Sequence, residues 1–241
     1  MTSNGRASWH ATAPRDASTI PRLILLRHGE VASHRGDLPL TREGRGQAEQ
    51  AGRRLARHHA ARVSVLVGPT LRAEQTGLIM LHGLTNADSS VQVTGPTVTQ
   101  ALRNPDLYLA GQRVDMVSTA AAFAQQVPGV TEAHVTGIAF YSDFVTSADR
   151  IGCWLHHPDP PGDTAATVAS RIRQFAASLG HVDGADLVVG ITHSPVLRAV
   201  GSHFAGTDPG EPDYLHGYSV QARSDGAVTL HSVDAEQAER A

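Results

Sequence analysis

The sequence predicts an α/β protein, a three-layer α/β/α sandwich with a mostly parallel sheet and an inserted lid. Three observations carry this. Short apolar runs of buried-strand length recur, segments with helical spacing lie between them, and polar clusters begin where the apolar runs stop. With 241 residues, 41% of them hydrophobic, the chain can bury one large core, and a net charge of −3 is too small for a chain held open by its own charge.

Residues 1–20 mix Ser, Thr, Arg, Asp, Pro and Ala without the apolar stretch of a signal peptide and are expected to form a flexible arm. One folded domain is expected over 21–233, with an insert over about 97–161. Its first strand is Arg22-Leu23-Ile24-Leu25-Leu26, which ends abruptly at Arg27-His28-Gly29-Glu30. A loop with Gly36 and Pro39 leads to Thr41, after which Ala48, Ala51, Gly52, Leu55 and His59 recur at helical spacing. Val63-Ser64-Val65-Leu66-Val67 reads as a second strand, closed by Gly68-Pro69 and followed by a helix over 70–81. From about 97 to 161 the alternation lapses into a segment holding Tyr108, Phe123, Phe140, Tyr141, Phe144 and Trp154, read either as an aromatic lid over a crevice or as a small core of its own. Helical spacing returns over 164–179. Leu187-Val188-Val189-Gly190-Ile191 is a further strand, and Pro195 suits the first turn of the next helix. Residues 214–222 and 227–233 are expected to add an edge hairpin turning at Ser224-Asp225-Gly226, with 234–241 as a flexible tail.

Composition narrows the function. All 20 basic residues are arginine, scattered among 23 acids, so no broad basic face for nucleic acid is expected, and neither Schiff-base chemistry nor a lysine clamp on phosphate is available. The single cysteine, Cys153, excludes an intrachain disulfide and a cysteine zinc cage and fits a reducing compartment. No apolar run approaches membrane-spanning length. The expectation is a cytoplasmic protein with neither a membrane nor a nucleic-acid partner; an apolar sheet edge leaves a homodimer open.

Ligands of open α/β sheets bind beyond the carboxyl ends of the strands, where Arg27-His28, the segment 70–72 and Thr192-His193-Ser194 are expected to converge. Two imidazoles and two arginines, Arg27 and Arg72, would make a site for a dianion, in which a neutral imidazole is a nucleophile toward phosphorus. Gly29 would allow close approach of a ligand's oxygens.

Leu25-Leu26-Arg27-His28-Gly29-Glu30 resembles the signature of the histidine phosphatase superfamily, the phosphoglycerate-mutase-like fold. The segments 40–48, 68–76, 162–164 and 189–193 resemble further stretches of that family in the same order, so the likeness spans roughly residues 22–205. The resemblance implies that His28 attacks the phosphoryl group while Arg27, Arg72 and His193 surround its non-bridging oxygens, without metal or other cofactor. The substrate implied is a small-molecule phosphate ester. The family's acid glutamate is missing from the stretch 100–106, and His193 is followed by Ser194 rather than Asp. Asp106 is therefore the expected proton donor, with Glu30, Asp163 and Asp143 as alternatives. His34 stands where many relatives place an asparagine, either donating to phosphate or exposed in its loop. Thr41, Arg103, Tyr108 and Ser194 complete the candidate substrate contacts, although Ser194 also suits a helix cap ahead of Pro195.

Two other functions share this reading, a phosphoglycerate-type phosphomutase and a catalytically inert phosphate-binding module. The first is disfavoured by the few basic residues of the insert, Arg103 and Arg113, and the second by retention of both histidines with both arginines. Paired imidazoles at His58-His59 and His156-His157 lack the i, i+4 spacing of a metal site.

Overall fold

The structure, a computed structural model, describes residues 22–33, 36–179, 184–222 and 227–233. The expected arm over 1–20, the tail over 234–241, the turn at 224–226 and His34 lie outside the described residues.

In chain order, the first half comprises β1 (Arg22–Arg27), α1 (Arg42–Leu55), β2 (Arg62–Val67), α2 (Leu71–Ala87) and β3 (Gln92–Val98). The insert follows as β4 (Leu107–Leu109), β5 (Gln112–Val114), α3 (Ala120–Ala124), α4 (Glu132–Thr136), α5 (Ala139–Thr146) and α6 (Arg150–His156). The chain then returns through α7 (Ala165–Ser178), β6 (Leu187–Thr192), α8 (Ser194–Ala205), β7 (Gly217–Ala222) and β8 (Val228–Val233). The main sheet has the order β3-β2-β6-β1-β7-β8. The first four are parallel, β7 and β8 antiparallel.

Both faces of this sheet are covered, which is why β1 is apolar from Leu23 to Leu26. Its Leu23 and Leu25 enter one core with α7, α8 and the insert, while Ile24 and Leu26 enter another with α1 and α2. A strand buried on two sides loses the alternation that one wet face would impose. α2 runs to Ala87, beyond the expected end, because Leu84 continues its buried face. β3 carries no apolar run; it is a mostly exposed edge strand containing Gly95 and Pro96, placements an edge tolerates.

The insert's aromatics match neither of the two readings in full. Phe123, Phe140, Tyr141, Phe144 and Trp154 are buried, and the first four pack ring on ring, with Phe123 and Tyr141 centroids 4.9 Å apart. They belong to the core shared with β1, α7 and α8 rather than to one of the segment's own, Phe144 among them also borders a cavity, and Tyr108 alone is exposed among large aromatics there. Among the described residues no helix is long and apolar enough to cross a membrane.

Candidate active site

β6 lies between β1 and β2 and is parallel to both, so the residues after these three strands meet at one end of the sheet. His28 follows β1, and its backbone N–H donates to the Thr192 carbonyl at 3.0 Å. His193 follows β6 as the N-cap residue of α8. Gly68 follows β2, with its N–H on the Ile191 carbonyl at 2.9 Å. No side chain is tolerated there: a Cβ on Gly68 would stand 2.7 Å from the Leu102 carbonyl oxygen and 3.1 Å from His193 Nε2. Thr70 caps α2 and so presents Arg72 from its first turn.

His28 is buried, and its ring centroid lies 5.4 Å from that of His193, edge to face. Its two nitrogens have different neighbours. Arg72 Nε, a donor only, stands 3.2 Å from Nε2, and the Gly29 carbonyl oxygen, an acceptor only, stands 2.8 Å from Nδ1. The proton therefore sits on Nδ1, and the lone pair of Nε2 faces the guanidinium. Burial lowers the proton affinity of Arg72 from its ordinary value, opposed by Asp37, whose carboxylate is 3.3 Å from Nη1. Gly29 serves packing rather than ligand approach, since a Cβ there would meet the Gly44 carbonyl of α1 at 2.7 Å.

Arg27 is buried and fixed from three sides. Its Nη1 donates to the Pro212 carbonyl at 2.5 Å, its Nη2 pairs with Glu211 at 2.9 Å, and its guanidinium lies 4.1 Å from the centre of the Tyr214 ring. Ser194, in the first turn of α8, donates its hydroxyl to the other Glu211 oxygen at 2.5 Å.

These groups line a cavity of about 610 Å³. Arg27, His28, Arg72, His193 and Ser194 form its base, and Met116, Val117, Phe144 and Ile151 give it one apolar wall. Arg72, Asn104, Met116 and Val117 also border a second, polar hollow of about 950 Å³ reaching Arg103 and Arg113. The Asn104 side-chain carbonyl oxygen is buried without a hydrogen-bond partner.

The sequence over residues 23–93 matches the family model of the histidine phosphatase superfamily (branch 1). In that stretch and in its fold, the chain is histidine-phosphatase-like. The fold is shared with a solved mycobacterial hydrolase, at 20% identity over 88% of this chain and 96% of that one, with a TM-score of 0.56. A mycobacterial glucosyl-3-phosphoglycerate phosphatase matches at 19% identity, 88% and 97% coverage and a TM-score of 0.56. A phosphoglycerate mutase from Bacillus anthracis matches at 14% identity, 90% and 95% coverage and a TM-score of 0.56. No curated protein sequence matches this one.

Within this histidine-phosphatase-like frame, Arg27, His28, Arg72, His193 and Ser194 share one cavity, and several other expected site residues do not. Asp106 does not line it. Its carboxylate takes Arg103 at 2.7 and 2.9 Å and Arg113 at 2.5 Å. Burial pushes this carboxyl up, but the hydrogen bonds from Arg103 and Arg113 outweigh it and leave the group below its ordinary range. A proton donor needs the opposite balance. Arg103 is thereby held on Asp106 and on the Gln100 carbonyl, bordering only the polar hollow. Thr41 caps α1, accepting from Gly44 N–H at 2.9 Å and donating to Glu30 at 3.0 Å, and so accounts for Glu30 as well. Tyr108 is 49% exposed and lines neither cavity. Asp163 is paired with Arg171 at 2.9 Å, and Asp143 lies exposed on α5 away from the cavity. Ser194 is not the cap of α8, a position held by His193.

Sequence reasoning did not find Glu211, Asp149 or Asn104. All three lie in irregular segments or at a helix start, where no motif marks them. Among the described residues no group of three or more His, Cys, Asp or Glu side chains could hold a metal ion. His156 and His157 instead make local bonds, to the Gly152 carbonyl and from the Asp159 N–H.

Proposed function

We propose that this protein is a phosphoric-monoester hydrolase that acts on a small-molecule phosphate ester through a phosphohistidine on His28. The observation that carries the reading is the orientation of that ring. Nδ1 is protonated against the Gly29 carbonyl, so Nε2 offers its lone pair into a crevice that also holds Arg27, Arg72 and His193. A phosphoryl group seated there would take over the Arg72 guanidinium and free Nε2 for attack. The transition state carries its charge on the non-bridging oxygens, and fixed cations around them supply most of the rate. Arg27 is suited to this because Tyr214 and the Pro212 carbonyl hold it in place before substrate arrives. The nucleophile transfers phosphate to itself and then to water, which requires no metal.

The leaving group would lie against Met116, Val117, Phe144 and Ile151, with Asn104 as an acceptor for a hydroxyl. Most insert aromatics face inward, and Phe144 alone of them borders this wall. A panel of phosphate monoesters, scored by inorganic phosphate release, tests the reading. Turnover of at least one ester, reduced at least about 10³-fold in His28→Ala, is expected. Release that persists undiminished in His28→Ala would contradict it. Transfer of phosphate to an acceptor alcohol in preference to water would make the protein a mutase instead.

A further inference from the structure

With Asp106 held by two arginines, the crevice needs another carboxyl to protonate the leaving group. Two carboxylates line the cavity among the described residues, Asp149 and Glu211. Asp149 receives both terminal nitrogens of Arg198, at 2.6 and 2.7 Å, and these hydrogen bonds pull it down to about 2, so it stays ionised. Glu211 is different. It is 51% exposed, and its two oxygens rest on Arg27 and Ser194, two of the donors expected to receive phosphate.

We propose that Glu211 is the acid and base of the reaction, a role placed here on the loop between α8 and β7. The proposal rests on the phosphatase reading above. The fold holds this loop from both ends. Asp208 pairs with the buried Arg198 and accepts the Gly210 N–H at 3.1 Å, while the Pro212 carbonyl and the Leu215 N–H bond Arg27. Glu211 lies between those anchors, and its carboxylate lines the cavity on Arg27 and Ser194. A dianionic ester that takes over Arg27 and Ser194 leaves this carboxyl beside negative oxygens, where like charge favours its protonated form. In the first step the His28 Nε2 lone pair forms the N–P bond, the P–O ester bond breaks, and the departing oxygen takes the Glu211 proton. In the second, the Glu211 carboxylate removes a proton from water, the water oxygen bonds phosphorus, and the N–P bonding pair returns to Nε2. Ester and water become alcohol and inorganic phosphate.

The test compares wild type, Glu211→Gln, Glu211→Asp and Asp106→Asn on p-nitrophenyl phosphate and on an alkyl phosphate, following phosphoenzyme formation and decay in single turnovers. The aryl leaving group needs no proton. Glu211→Gln should form phosphoenzyme from the aryl ester within a few-fold of wild type, lose about 10²-fold or more on the alkyl ester, and accumulate phosphoenzyme because water is not activated. Glu211→Asp should retain more alkyl activity than Glu211→Gln, and Asp106→Asn should leave the aryl-to-alkyl ratio unchanged. Equal losses on both esters, or gains on both as if a competing anion had been removed, would overturn the assignment of Glu211. A wild-type protein that forms no phosphoenzyme from either ester would overturn the phosphatase reading and this proposal together.

Discussion

The behaviour of His28 is decided by what holds its two nitrogens. A carbonyl fixes one proton on Nδ1, and a guanidinium that cannot accept a proton guards Nε2. Lysine in place of Arg72 would keep a charge but lose the planar fork whose Nε reaches the imidazole while Nη1 reaches Asp37. Arg72→Lys is therefore expected to lower kcat by about 10²- to 10³-fold, with a smaller change in KM. Steady-state kinetics on any ester turned over would show it, and a kcat within a few-fold of wild type would remove Arg72 from the transition state. The four residues Arg27, His28, Arg72 and His193 were legible in the sequence because each follows directly on an apolar run or opens a capped helix. Asp106 is marked in the sequence only by its nearness to the point where the resemblance expects an acid and by Pro105 before it. Neither could show that Arg103 and Arg113 would close on its carboxylate. Nor could the sequence single out Glu211, whose position depends on contacts made by Arg198 and Arg27, remote in sequence.

At the level of elements, α8 acts as more than a support for His193. Arg198, only 2% exposed, joins Asp149 at the start of α6 to Asp208 in the following loop, and so ties the insert and the Glu211 loop to the same helix. Hydrogen bonds to Arg198 depress both carboxyls, which in turn raise the proton affinity of the guanidinium. Removing the cation leaves two acids facing each other, both partly screened by solvent, so Arg198→Met should cost about 1–3 kcal/mol of stability, measured by denaturant unfolding. The sign with pH follows from the depressed acids. Unfolded, they bind protons near pH 4, but folded Asp149 does so only near 2, so stability falls as pH drops through that window. Arg198→Met should show a shallower fall there, and an unchanged slope would assign the acid sensitivity to other groups. Elements were legible where an apolar run or a helical period was strong, as in β1, β2, β6 and α1. β3 was not, because an exposed edge strand with Gly95 and Pro96 carries none of the apolar signal of a buried one.

Across the whole molecule, the fold follows from one arrangement, three parallel strands side by side with both faces buried. Their carboxyl ends form the base of the crevice, and the insert walls it on one side. That architecture was readable from the alternation of runs and periods. The character of the wall was not, since composition located the aromatics without saying which way they turn. Whether His28 carries the phosphoryl group is decided by mixing the protein with a phosphorus-32-labelled ester, quenching within one turnover and mapping the label. An acid-labile, base-stable phosphate on the peptide containing His28, absent in His28→Ala, is the expected result. Rapid release of phosphate with no label on the protein, or with the label on another residue, would contradict it.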